Sequence, residues 1–216
     1  MKESVTRARG ARRHWFGQRL AHQLIGALAC AATLTPLAWA DESPRAFVDA
    51  TTSAVIAVLA DKDVSVDDKR RRVEEIVYAR VDFDTLSRLV LARSWNQLSE
   101  EQREEFKRSF KQNLSATYGR SIEAYRNERI TIVADRQEAD ADWTVRTKIV
   151  RGGPNDISVD YRLRQSAGSW KIIDVIIEGV SLVSSYRSQF QEVMANGGID
   201  RLLKVMQEKM RASTAT

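Results

Sequence analysis

Residues 106–122 and residues 143–177 are written in two different hydrophobic periods, and that change restricts the available folds more than any other feature. Phe106, Phe110, Leu114, Tyr118 and Ile122 recur at every fourth position, with Tyr125 closing the row. This is the ridge of a long amphipathic helix, expected to open at the Ser99-Glu100-Glu101-Gln102 capping box and run to about Arg126. Then the period falls to two. Ile130–Val133 reads as a short strand. Trp143, Val145, Thr147 and Ile149 alternate with Thr144, Arg146 and Lys148; Ile157, Val159, Tyr161 and Leu163 alternate with Ser158, Asp160, Arg162 and Arg164. Turns are expected at Gly152–Asn155 and Ser166–Ser169. Such alternation gives an antiparallel sheet with one apolar and one wet face. Lys171–Ile177 is apolar on both faces, so that strand should lie centrally or be covered twice.

Helices are expected on either side of the sheet. Ser43 can cap a helix over about Pro44–Ala60, with Pro44 at its first position. A second begins near Ser65, with Asp67 and Asp68 first and Lys69-Arg70-Arg71-Arg72 after, which suits the helix dipole. That basic run could touch anionic lipid heads, but a solvated face balanced by Asp67, Asp68, Glu74 and Glu75 is the simpler reading. Asp82 or Asp84 can cap a short helix carrying Phe83, Leu86, Leu89 and Val90. Two helices close the chain, one through Leu182, Val183, Tyr186, Phe190, Val193 and Met194, the other through Ile199, Leu202, Leu203 and Met206, with Gly197-Gly198 between. The fold class is α+β: a curved antiparallel sheet of about four strands with six to seven helices gathered over one face.

Charge sorts the chain into two parts. Of 34 Lys and Arg, six precede Asp41, whereas only one of 29 acids does, so the formal +5 belongs to residues 1–40 and the rest is balanced. His14, His22 and Cys30 also lie there. A basic stretch to Arg19, an apolar Leu20–Leu37 and Ala38-Trp39-Ala40 read as a cleaved export signal, leaving one domain over residues 41–216 in a bacterial periplasm. Arg12-Arg13 also permits the twin-arginine route, and Cys30 lacks the usual lipoprotein context. The balanced segment gives no basis for nucleic-acid binding. Without His or Cys it has no Ser-His-Asp or Cys-His device, thiol redox chemistry or zinc site built on those ligands. It shows no phosphate-cradling glycine motif.

Two stretches carry a family resemblance. One is Phe83-Asp84-Thr85-Leu86-Ser87-Arg88-Leu89-Val90-Leu91-Ala92-Arg93-Ser94-Trp95, followed by Leu98-Ser99-Glu100-Glu101-Gln102. The other runs from Trp170-Lys171-Ile172-Ile173-Asp174-Val175-Ile176-Ile177 through Glu178-Gly179-Val180-Ser181-Leu182-Val183 to Ser185-Tyr186-Arg187-Ser188-Gln189-Phe190. Together they resemble the MlaC family, also called the toluene-tolerance auxiliary family, over essentially all of Pro44–Met210. The resemblance implies a nuclear-transport-factor-like cone enclosing an apolar pocket. It implies a periplasmic carrier of glycerophospholipid that maintains outer-membrane lipid asymmetry, exchanging with an outer-membrane lipoprotein–porin complex and an inner-membrane ABC transporter with an MCE-domain subunit. It implies no cofactor besides the lipid ligand, no metal and no catalytic residue.

Physical chemistry says what such a carrier must contain. At about 0.8 kcal/mol per buried CH₂, keeping the chains of one lipid from water represents on the order of 20 kcal/mol. Polar anchors at about 1 kcal/mol each cannot match that. The expected pocket takes Val145, Thr147, Ile149, Val159, Tyr161, Leu163, Ile173, Val175 and Ile177 from the sheet, and Leu114, Tyr118, Ile122, Val180, Leu182, Tyr186 and Phe190 from a helical lid. Tyr118, Tyr161 and Tyr186 suit its mouth. Arg146, Lys148, Arg162 and Arg164 fall on the wet face, available to a partner protein, so head-group reading is expected to be weak. Ordinary dry packing gives the same periodicity, so an envelope adaptor with a solid core is the alternative. A hydrolase built on Asp84 or Glu178 is a third reading, against which Asp84 serves as a helix cap and Glu178 as a turn residue.

Overall fold

Serine caps set the starts of the first helices. In the computed structural model, which describes residues 42–119, 122, 124–151 and 156–214, the Ser43 hydroxyl accepts from the Ala46 N–H and opens α1, Pro44–Ala60. Ser65 likewise accepts from Asp68 at the head of α2, Val66–Arg80. Asp82, not Asp84, caps α3, Phe83–Leu91, by accepting from the Thr85 N–H and hydroxyl. A 3₁₀ turn over Ala92–Gln97 leads to α4, Glu100–Tyr118, whose start carries both halves of the capping box, Ser99 with the Gln102 N–H and Gln102 with the Ser99 N–H. α4 ends at Tyr118, short of the expected Arg126; Ile122 is again helical, and residues 120, 121 and 123 lie outside the described residues. Gly119 serves as the C-cap, still with helical backbone angles, and its N–H bonds the Ser115 carbonyl.

Five strands follow in simple meander order, all antiparallel: β1 Arg129–Gln137, β2 Trp143–Val150, β3 Ile157–Ser166, β4 Ser169–Ile177 and β5 Val180–Ser181. β1 is longer than expected, and a register shift between Ile132 and Ala134 interrupts the alternation that would have revealed it. β5 is the additional strand. Its two residues return beside Ile176 and Ile177 through Glu178-Gly179, both at positive φ, where Gly179 carries no steric cost. Ala167-Gly168 makes the comparable turn between β3 and β4. The expected turn at residues 152–155 and the export segment lie outside the described residues.

α5, Leu182–Ala195, and α6, Gly198–Thr214, complete the chain. Phe106 and Phe110 of α4 meet Tyr186 and Phe190 of α5, with Phe110 and Tyr186 ring centroids 5.2 Å apart, and Leu202, Leu203 and Met206 of α6 join them. The side chains of this helical core are buried. Asp174 of β4 fixes α5 to the sheet by accepting from the Val183 N–H and the Ser181 hydroxyl. β4 buries both Ile172 and Ile173, as its continuous apolar run requires. On the wet face Arg146 pairs with Asp160 at 3.3 Å and Arg164 holds Asp142 through two bonds of 2.7 and 2.9 Å.

Candidate functional site

One apolar face of the sheet is covered in two ways. Over one part, α1 inserts Phe47 and Val48 against Val145, Leu163 and Ile172, and all five are sealed from solvent. Over the other part the sheet faces a cavity of about 360 Å³. Ile149 of β2, Val159 and Tyr161 of β3, and Ile172, Val175 and Ile177 of β4 form its floor. Val73, Val77 and Tyr78 of α2 form one wall; Phe110, Leu114 and Tyr118 of α4, with Ile122 beyond it, form another. Val81, Phe83, Leu86, Leu182 and Val183 complete its apolar lining.

α2 explains why there is space here. Not one of its residues is buried, although Val73, Ile76, Val77 and Tyr78 give it an apolar side. A helix packed onto a solid core would bury that stripe. Here Val73, Val77 and Tyr78 of that stripe look onto the cavity. Its basic run divides accordingly. Lys69 donates to the Leu59 carbonyl at 2.9 Å, joining α2 to the end of α1. Arg71 turns outward to Asp68 and Glu75. Arg70 borders the cavity and pairs with Asp67 at 3.5 Å.

The lining is largely free of charge. Its ionisable side chains are Arg70, Glu74, Asp174, which is satisfied by α5, and tyrosines held neutral. Burial pushes the Tyr161 phenol up to about 12, while a hydrogen bond with Thr147 acts in the opposite direction. Tyr161 is enclosed by protein yet retains accessible surface, because that surface faces the void. Burial also raises Tyr78, Tyr118 and Tyr186; the Glu74 carboxylate adds to the effect on Tyr78.

Of the sequence-derived positions, Leu114, Tyr118, Ile122, Ile149, Val159, Tyr161, Val175, Ile177 and Leu182 come together on this cavity. Val145 and Leu163 lie on the same sheet face but under α1. Thr147 is fully buried and its hydroxyl donates to the Val159 carbonyl. The placement of Ile173 on the cavity face is corrected. The register shifts between Arg162 and Leu163, pairing Leu163 with Ile172, and the bulge exchanges the two isoleucines. Val180 sits on β5 and is exposed, not in a lid, because the tight turn ends the preceding strand three residues earlier. Tyr186 and Phe190 belong to the helical core. Of the proposed mouth tyrosines, Tyr118 is 37% exposed at the rim, Tyr161 lies on the floor and Tyr186 is only 5% exposed. Sequence reading missed Val73, Val77 and Tyr78; their helical spacing was visible but was overshadowed by the neighbouring charges.

The two carboxylates considered for hydrolysis are apart from this lining. Asp84 pairs with Lys107 at 2.6 Å. Glu178 ties its turn to β3, exchanging backbone and side-chain bonds with Ser158. Among the described residues, no helix is long and apolar enough to cross a membrane.

Comparison with known proteins bears on what such a cavity is for. The family model described as MlaC protein matches residues 49–208. The chain is 26% identical over 180 residues to the toluene tolerance protein ttg2D of Pseudomonas putida, covering 81% of this chain and 84% of that one. It is 25% identical over 132 residues to the intermembrane phospholipid transport system binding protein MlaC of Haemophilus influenzae, covering 59% and 62% respectively. Among solved structures, it resembles the phospholipid-binding protein of Ralstonia solanacearum, determined in complex with a phospholipid, with a TM-score of 0.72 and 27% identity over 79% of this chain and 98% of that one.

Proposed function

The chain belongs to the MlaC family, and from that premise we propose that it is a periplasmic phospholipid carrier whose cavity between the sheet and α2 and α4 receives acyl chain. The observation that carries this reading is the cavity itself, lined by aliphatic and aromatic side chains with Arg70, Glu74 and the satisfied Asp174 as its charged groups. Aliphatic chain gains from such walls what it would otherwise lose on leaving a membrane. An adaptor with a solid core has no use for the void. At about 30 Å³ per water-sized group, 360 Å³ admits about a dozen such groups, room for part of a lipid's acyl chain.

In this reading residues 1–40 are an export signal removed from the working protein. The carrier exchanges lipid between an outer-membrane lipoprotein–porin complex and an inner-membrane MCE-domain ABC transporter, and so maintains outer-membrane asymmetry. Neutral net charge after Ala40 supports release, since a strongly basic surface would hold a carrier to anionic lipid at about 1 kcal/mol per cation. No catalytic step is assigned to it.

Native mass spectrometry of protein gently isolated from its own cell envelope tests the proposal. Mass corresponding to phospholipid is expected on the wild type. It is expected to be lost on Val175→Glu, which places a carboxylate against the cavity, in a variant shown to be folded by circular dichroism. A wild type that is bare and takes up no lipid from vesicles would overturn the proposal.

A further inference from the structure

The sheet has a second face, and its charge is uneven although the chain after Ala40 is balanced. Alternation puts Ile149, Val159, Tyr161 and Val175 on the cavity and turns Arg146, Lys148, Asp160 and Arg162 the other way. Over β1 to β3 the side chains of Thr131, Arg136, Arg146, Lys148 and Arg162 are exposed there. Register fixes their order. Lys148 stands between Thr131 and Ser158, Arg146 between Ala134 and Asp160, and Thr144 between Arg136 and Arg162. Arg136 pairs with Glu138 at 2.8 Å, Arg146 with Asp160 at 3.3 Å, and Arg164 is drawn away to Asp142. Lys148 and Arg162 make no hydrogen bond or ion pair among the described residues. Asp160 is committed to Arg146 through one oxygen, and its other oxygen is buried, so it is no counter-ion for them.

We propose that this face docks an acidic surface of a partner protein, with Lys148 and Arg162 as the groups that meet its carboxylates. The proposal goes beyond the carrier reading and does not depend on what fills the cavity, which lies across the sheet. A partner held here leaves the α2 and α4 side uncovered. Two features favour a structured protein over an anionic bilayer. The face mixes signs at fixed positions, with Asp160 next to Arg146 across the strands and two residues from Arg162 along β3. A protein surface can match that pattern, whereas mobile head groups present an averaged charge that Asp160 opposes. Nor do these strands offer a wedge for hydrocarbon beside the cations. Of β1 to β3, among the described residues, Val133 alone is a large exposed apolar side chain, and it lies at the bulge of the edge strand.

The test places a photo-crosslinking amino acid at Thr131, beside Lys148, in the full chain expressed in its own cells, and reads the adducts by mass spectrometry after illumination. An adduct with another protein is expected, joined at a peptide rich in Asp and Glu. Lys148→Glu with Arg162→Glu should lower its yield at least about tenfold, the scale of one lost charge-assisted bond. Lys148→Gln with Arg162→Gln should lower it less, and carries the test if the reversed protein does not fold. Arg93→Glu with Arg108→Glu makes the same change of charge at exposed helical positions and should leave the yield as it was. No protein adduct, an unchanged yield in the folded sheet-face variants, or an equal loss in the helical control overturns the proposal. So does an adduct with lipid alone accompanied by flotation on phosphatidylglycerol vesicles, which makes the occupant a membrane, and so does an adduct only with a second copy of the chain. The carrier reading is decided separately, by the lipid content of the wild type.

Discussion

Val145 and Val175 flank Tyr161 on one rung of the sheet and point to the same face, yet their surroundings differ. Val145 is fully sealed beneath Phe47 and Val48 of α1. Val175 is half-buried and opens onto the cavity beneath α2. The strands supply the same kind of surface to both. What differs is the helix opposite, one inserting large side chains into the sheet and the other standing clear of it. Capacity for a ligand therefore arises in how the cover is set, while the sheet alone specifies only an apolar face.

The same substitution on the two valines should break or sharpen this contrast. Val145→Ala removes packed methyl groups and leaves a hole, with an expected stability loss of about 2–3 kcal/mol. Val175→Ala enlarges a space that already exists and should cost about 1 kcal/mol or less. Urea unfolding of the lipid-free variants measures both. Equal losses would mean that the two parts of the face are equally packed.

That contrast also marks how far sequence reading reaches. The caps at Ser43, Ser65 and Ser99 and the change from helical to strand period are local, so the elements were legible. The bulge that exchanges Ile172 for Ile173 depends on pairing with Leu163 across the sheet, which no window along one strand contains. The division of one apolar face into plug and void depends on helix placement. Ile149, Tyr161 and Val175 could thus be named for the right face, but Val145 and Leu163 could not be separated from them. The Val73–Val77 stripe was present in the sequence, yet without α2's position it had no assigned partner.

A smaller effect comes from the residue between the valines. Tyr161 ionises near 10 in the unfolded chain and only at about 12 in the folded protein, because burial disfavours the phenolate. The unfolded chain therefore releases this proton first, so stability falls as pH rises above 10 and continues to fall to about 12. By pH 11 the loss should be on the order of 1 kcal/mol. Tyr161→Phe should remove that slope, leaving the shared contributions of the other tyrosines. Unfolding midpoints of the two proteins between pH 9 and pH 11.5 check this; identical slopes would place the phenol in contact with bulk water.

The most direct test of the central claim is methyl NMR of the protein loaded with a phospholipid carrying a spin label on its acyl chain. The account predicts strong broadening at Val77, Val175, Ile177 and Leu182, with Val48, Val145 and Leu163 much less affected behind the α1 packing. Equal broadening on both parts of the sheet face, or broadening confined to surface methyls such as Val66 and Val133, would contradict it.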